Sequence, residues 1–104
     1  MSKPIFKLCM IRGFTDAYYH LSDDERDKLW KQDDEGLKKV GAKIVGPMCD
    51  CRWSNDKYGN FFIIEYPDID AAIAESANAS QAGLFKYILS ETVLGIESEE
   101  QNTP

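Results

Sequence analysis

The 104-residue sequence contains little that points to a membrane, a nucleic acid or a cofactor. No apolar run approaches the roughly 20 residues of a membrane-spanning helix. Twelve Lys and Arg stand against 18 Asp and Glu, a formal net charge of −6. That deficit of cations excludes general affinity for phosphate backbones or anionic lipid, so neither nucleic acid nor membrane is an expected partner. There is one histidine, and the three cysteines are an odd number that cannot all pair within one chain. Cys9, Cys49 and Cys51 are therefore read as reduced, structural thiols. Cys49 and Cys51 lie two apart, on one face of a strand with Trp53, but with His20 alone they fall short of the four ligands of a structural zinc site. No metal is expected. No phosphate loop, dinucleotide fingerprint, nucleophile elbow or calcium loop is present, and no cofactor is indicated. Met1-Ser2-Lys3-Pro4 leads straight into a strand broken by Lys7, unlike the apolar core of a secretion signal, and a cytoplasmic protein is expected.

What is present is a globular composition, 43% hydrophobic. It suits one domain over 1–96, followed by an acidic tail, 97–104, expected to be mobile. The strand-like runs are apolar on both faces. In Ile5 to Ile11, Phe6, Leu8 and Met10 alternate with Ile5, Cys9 and Ile11, the second set broken only by Lys7. Phe61 to Tyr66 repeats the pattern. Two-faced burial calls for cover on both sides of a sheet, yet only two helices are available. The economical cover for the second face is another copy of the same sheet, so a homodimer is expected.

Ser22 followed by Asp23, Asp24 and Glu25 spells a capping box that starts a helix running to about Val40, with Gly41 as its C-terminal cap. A strand from Lys43 to about Trp53 contains Gly46-Pro47, which marks a bulge, a bend or an edge. Residues 54–60 form a turn into Phe61–Tyr66. Asp68 caps a second helix, to about Ser80, with Ile69, Ala72, Ile73 and Ser76 at helical spacing. A last strand runs from about Lys86 to Gly95. Strand, helix, strand, strand, helix, strand is the order of an α+β, ferredoxin-like βαββαβ fold with an antiparallel sheet.

With its second face buried between two copies, this pattern resembles the dimeric α+β barrel superfamily, which includes antibiotic-biosynthesis monooxygenases, muconolactone isomerases, polyketide cyclases and stress-response barrel proteins. A closer local similarity, carried by Tyr18-Tyr19-His20-Leu21-Ser22-Asp23-Asp24-Glu25-Arg26 and Gly83-Leu84-Phe85-Lys86-Tyr87, is to small uncharacterised bacterial barrel-type proteins.

Within the first helix Leu29, Trp30, Leu37 and Val40 make an apolar stripe, and steps of about 100° per residue place Asp33 in its centre with Arg26 two turns earlier. An inward carboxylate must be paired, hydrogen-bonded or protonated, and such groups concentrate in sites. Two other readings of Asp33 stay open: an internal donor such as a Tyr hydroxyl, or a position at the solvent border. Arg26 can hold an anionic oxygen or simply lay its stem on apolar surface. His20, whose ordinary pKa lies near neutrality, suits proton transfer, and an exposed histidine with no role is the alternative. Tyr18, Tyr19, Trp30, Trp53 and Tyr66 suit the walls of an apolar pocket, or equally a core.

The resemblance implies cofactor-independent acid-base chemistry on an aromatic or enolisable small molecule: isomerisation, cyclisation, lyase action or oxygenation. In that reading His20 moves a proton, Asp33 orients or shares it, Arg26 or Tyr19 stabilises an oxyanion, and Tyr18, Trp30, Trp53 and Tyr66 hold the substrate. The alternatives are a non-catalytic ligand-binding or stress-associated homodimer and a subunit of a larger assembly.

Overall fold

The computed structural model describes residues 3–98, so most of the segment expected to be mobile, 97–104, lies outside the described residues. The elements are β1 (Ile5–Phe14), α1 (Asp16–Tyr19), α2 (Asp23–Lys39), β2 (Lys43–Asp50), β3 (Asn60–Tyr66), α3 (Ile69–Gln81), a 3₁₀ turn (Leu84–Lys86) and β4 (Ile88–Gly95). All strand pairs are antiparallel, in the order β2-β3-β1-β4. The fold is ferredoxin-like α+β, with the one-turn helix α1 inserted between β1 and α2. No helix among the described residues is long and apolar enough to cross a membrane.

Local chemistry explains where α2 starts and stops. Ser22 Oγ accepts from the Glu25 amide and Glu25 returns a carboxylate to the Ser22 amide, which satisfies two donors that the first turn leaves free. At the other end Gly41 takes φ 77°, the left-handed region where a Cβ is costly. The Ala42 amide then reaches back to the Leu37 carbonyl at 2.9 Å and the Gly41 amide to Lys38 at 3.1 Å, a Schellman closure. It drives Ala42 and Leu37 together into the core.

Gly46-Pro47 does produce a bulge, between Val45 and Cys49, on a strand at the sheet edge. β2 stops at Asp50, short of Trp53. The Asp50 carboxylate accepts from the Arg52 amide at 3.0 Å and from its guanidinium, turning the chain, so Cys51 and Trp53 lie in the loop and share no strand face with Cys49. All three cysteines are free thiols.

Of the residues expected on the inward face of α3, Ala72 is buried and Ser76 half-buried, but the two isoleucines are not. Ala71, Ala72 and Glu75 are buried, while Ile69 and Ile73 are exposed. Small side chains let this helix come close to the sheet. The core lies at one end of the helix-covered face, where Ile5 pairs with Tyr66 and where Cys9, Leu37, Ala42, Ile64, Tyr66, Ala71 and Ala72 pack together. A bulge between Ile11 and Gly13 in β1 resets the alternation so that Phe14, opposite Ile88, looks to the helices as Ile11 does. On the other face Phe6, Leu8, Met10, Phe61 and Ile63 are only half-buried, and Val45, Leu89 and Val93 are exposed. No described helix packs on that face.

Candidate functional site

Away from the Tyr66 end, the helices and the sheet separate to leave a cavity of about 490 Å³. That is within the size range of small-molecule sites. Its wall is largely apolar and aromatic, with Ile11, Phe14, Tyr18, Trp30, Phe62 and Phe85 among its residues. Phe14 and Tyr18 stack with centroids 4.4 Å apart, and Trp30 meets both edge-on. Trp30 Nε1 donates to the Tyr18 hydroxyl at 3.0 Å, so the polar tips of these two rings satisfy each other and present apolar surface inward.

Four charged side chains interrupt this wall: Lys7 from β1, Asp33 and Asp34 from α2 and Glu75 from α3. Lys7 falls on the helix-facing side because it shares the alternation of Ile5, Cys9 and Ile11. It is buried, and its Nζ lies 3.5 Å from a Glu75 carboxylate oxygen, with both side chains about nine-tenths buried. The ammonium also sits 5.4 Å from the centre of the Tyr66 ring.

Asp33 lies one turn from Leu29 and one from Leu37, the two buried leucines of α2. It has no hydrogen bond or ion pair among the described residues. Burial pushes its carboxyl up to about 6, helped by the negative charges of Glu75 and Asp34 and opposed by Lys7. Burial likewise pushes the Cys9 thiol up to about 11, which keeps it protonated and inert at neutral pH. The Tyr66 hydroxyl, buried without a hydrogen-bond partner, is driven well above the usual phenol range by desolvation and by Glu75.

Asp33, Tyr18 and Trp30 thus line the cavity. Arg26, Tyr19 and His20 gather outside its lining. The Arg26 guanidinium donates to the Tyr19 carbonyl at 3.3 Å and pairs with Asp23 at 3.4 Å, and its carbon lies 5.5 Å from the Tyr18 ring centre. Tyr19 and His20 are exposed, and His20 Nδ1 donates to the Asp16 carbonyl at 2.8 Å. Trp53 is 87% exposed on the β2–β3 loop and Tyr66 is 0% exposed in the core, so neither forms a wall. Lys7 and Glu75 are the residues that sequence reasoning missed. Their signal was a cation and an acid, each alone among small or apolar neighbours on an inward face. No cluster of three or more potential metal ligands occurs among the described residues.

No protein-family model matches the chain, and no curated protein matches it. Among solved structures it is similar to a protein of unknown function from Rhodopseudomonas palustris, with 16% identity and a TM-score of 0.62 over 95% of this chain and 85% of that one. It also matches SnoaB, a cofactor-independent oxygenase from Streptomyces nogalater, with 13% identity and a TM-score of 0.43 over 99% of each chain. The first likeness is one of fold, and the second is too remote to bear on function.

Proposed function

We propose that the protein is a cofactor-independent enzyme of the dimeric α+β barrel type that performs acid-base chemistry on a small aromatic or enolisable substrate. The observation that carries this reading is an unpaired carboxyl, Asp33, held near 6 at the wall of an aromatic cavity beside a buried ammonium. A base poised near the operating pH is the most effective proton shuttle. The ionised Asp33 takes a proton from the carbon next to a carbonyl, the carbonyl oxygen becomes an enolate, and Lys7 lies on the same wall to stabilise that charge. Delivery of that proton to another carbon completes an isomerisation, and where Asp33 first trades it for one from solvent, delivery to the same carbon completes an exchange. A carbanion or enolate of this kind is a common starting point for isomerisation, cyclisation, lyase action and cofactor-free oxygenation. His20 has no part in this scheme, since it does not line the cavity.

The test is hydrogen–deuterium exchange at the α-carbon of a bicyclic aryl ketone in heavy water, followed by NMR. The wild-type protein should accelerate exchange with a rate that rises with pH through about 6, and Asp33→Asn should lose roughly 10²- to 10⁴-fold. Absence of acceleration, or an equally active Asp33→Asn, sinks the proposal.

The uncovered sheet face, with Leu8 at its centre opposite Ile63 and Val93, supports a homodimer as the working form. Sedimentation should give about twice the 11.8 kDa chain mass. Val93→Arg, at a side chain 57% exposed in the single chain, should return the monomer without unfolding it. A wild-type monomer at micromolar concentration, or an unaffected Val93→Arg, contradicts this assembly.

A further inference from the structure

A second space, of about 300 Å³, runs as a groove between α2 and α3, and Asp33, Glu75, Ala79 and Leu84 line both it and the inner cavity. The two spaces meet at the charged cluster, yet their chemistry differs. The cavity holds the aromatic rings, whereas the groove has no aromatic lining residue and carries the carboxamides of Gln32, Asn78 and Gln81. None of these three side chains has a hydrogen bond among the described residues, so their donors and acceptors face open space. Gly36 belongs to the same wall. A side chain there would meet nothing within 4 Å, so packing does not require a glycine inside this helix, a position where glycine is disfavoured. A large side chain there would project into the groove.

We infer that the groove is a second binding subsite, which takes a neutral, polyhydroxylated substituent of the substrate while the aromatic body occupies the inner cavity. This rests on the reading of the inner cavity as the reaction site. Carboxamides both donate and accept, as hydroxyl groups do. Three acids, Asp33, Glu35 and Glu75, against the single cation Lys39 turn away a phosphate or a carboxylate. The substrate is accordingly amphipathic, with a flat apolar end and a sugar-like end, and Asp33 lies at the junction where the two parts join.

The experiment compares naphthol and naphthyl glucoside by calorimetry. Net gains from a few neutral hydrogen bonds predict glucoside binding about tenfold tighter than naphthol. Gly36→Trp, which fills the groove, should abolish that advantage and leave naphthol affinity unchanged. The paired change Gln32→Ala and Asn78→Ala should reduce the advantage severalfold without touching packed residues, and it decides the matter if Gly36→Trp does not fold. A glucoside that binds no tighter than naphthol, or an advantage that survives both variants, overturns the subsite and leaves the inner cavity standing. A larger gain for a naphthyl alkylamine than for the glucoside overturns the assignment to a neutral group. If naphthol itself does not bind, the cavity reading falls and the subsite falls with it.

Discussion

Lys7→Met should destabilise the protein by about 3–5 kcal/mol, because it leaves the Glu75 carboxylate buried without its cation. For a chain of this length that is a fall of roughly 10–30 °C in the thermal midpoint. Both partners of the 3.5 Å pair are nearly out of solvent, which separates it from the surface pairs of this chain, such as Lys38 with Asp34, where loss of one partner has little effect. The double change Lys7→Met with Glu75→Leu should recover most of the lost stability, since the pair's attraction largely repays its own desolvation and little more. Urea unfolding of wild type, both single variants and the double variant closes the cycle. A Lys7→Met cost under about 1 kcal/mol would show that Glu75 escapes to solvent or takes up a proton without penalty.

Asp33→Asn should make the protein more stable at pH 7 and less active. The folded carboxyl titrates near 6, against 3.8 for an ordinary aspartate. Below about pH 4 both states hold the proton. Between that point and 6 the unfolded chain has released it while the folded chain keeps it, so stability falls as pH rises, and above 6 the full cost of the buried charge is present. With allowance for the solvent that reaches this partly exposed group, the cost is about 1–2 kcal/mol. Asparagine removes it. Unfolding at pH 4 and at pH 7 should show the variant gaining on wild type between the two, while ketone exchange is lost. An Asp33→Asn protein less stable than wild type at pH 7 would place a hidden hydrogen-bond donor on the carboxylate. Glu75→Gln should lower the Asp33 pKa, because Glu75 is the second largest contribution to its rise.

Much of this was visible in the chain, for physical reasons that differ between elements. The order of elements was legible because α2 announces both its ends, through the Ser22–Glu25 box and the Gly41 closure, and because Phe61 to Tyr66 is too apolar and β-branched to be anything but an interior strand. The inward side of α2 was legible because Leu29 and Leu37, one turn to either side of Asp33, fix the phase of the helix. α3 offered no such marker. Its inward residues are alanines, whose hydrophobic signal is weak, and the two isoleucines that suggested a buried face are exposed. The wrong phase hid Glu75, and without Glu75 the inward Lys7 looked like a solitary interruption. Trp53 was misplaced because nothing in the run from Met48 to Trp53 marks the carboxylate–amide contact that turns the chain at Asp50.

The Gly46–Pro47 bulge also decides how this sheet can fail. β2 and β4 are its two edges, and an open-ended ribbon of copies needs β2 of one chain to pair with β4 of the next. A proline that cannot donate and a register that breaks between Val45 and Cys49 deny that pairing its continuous ladder. The edge defect therefore disfavours open-ended, edge-to-edge growth of the sheet.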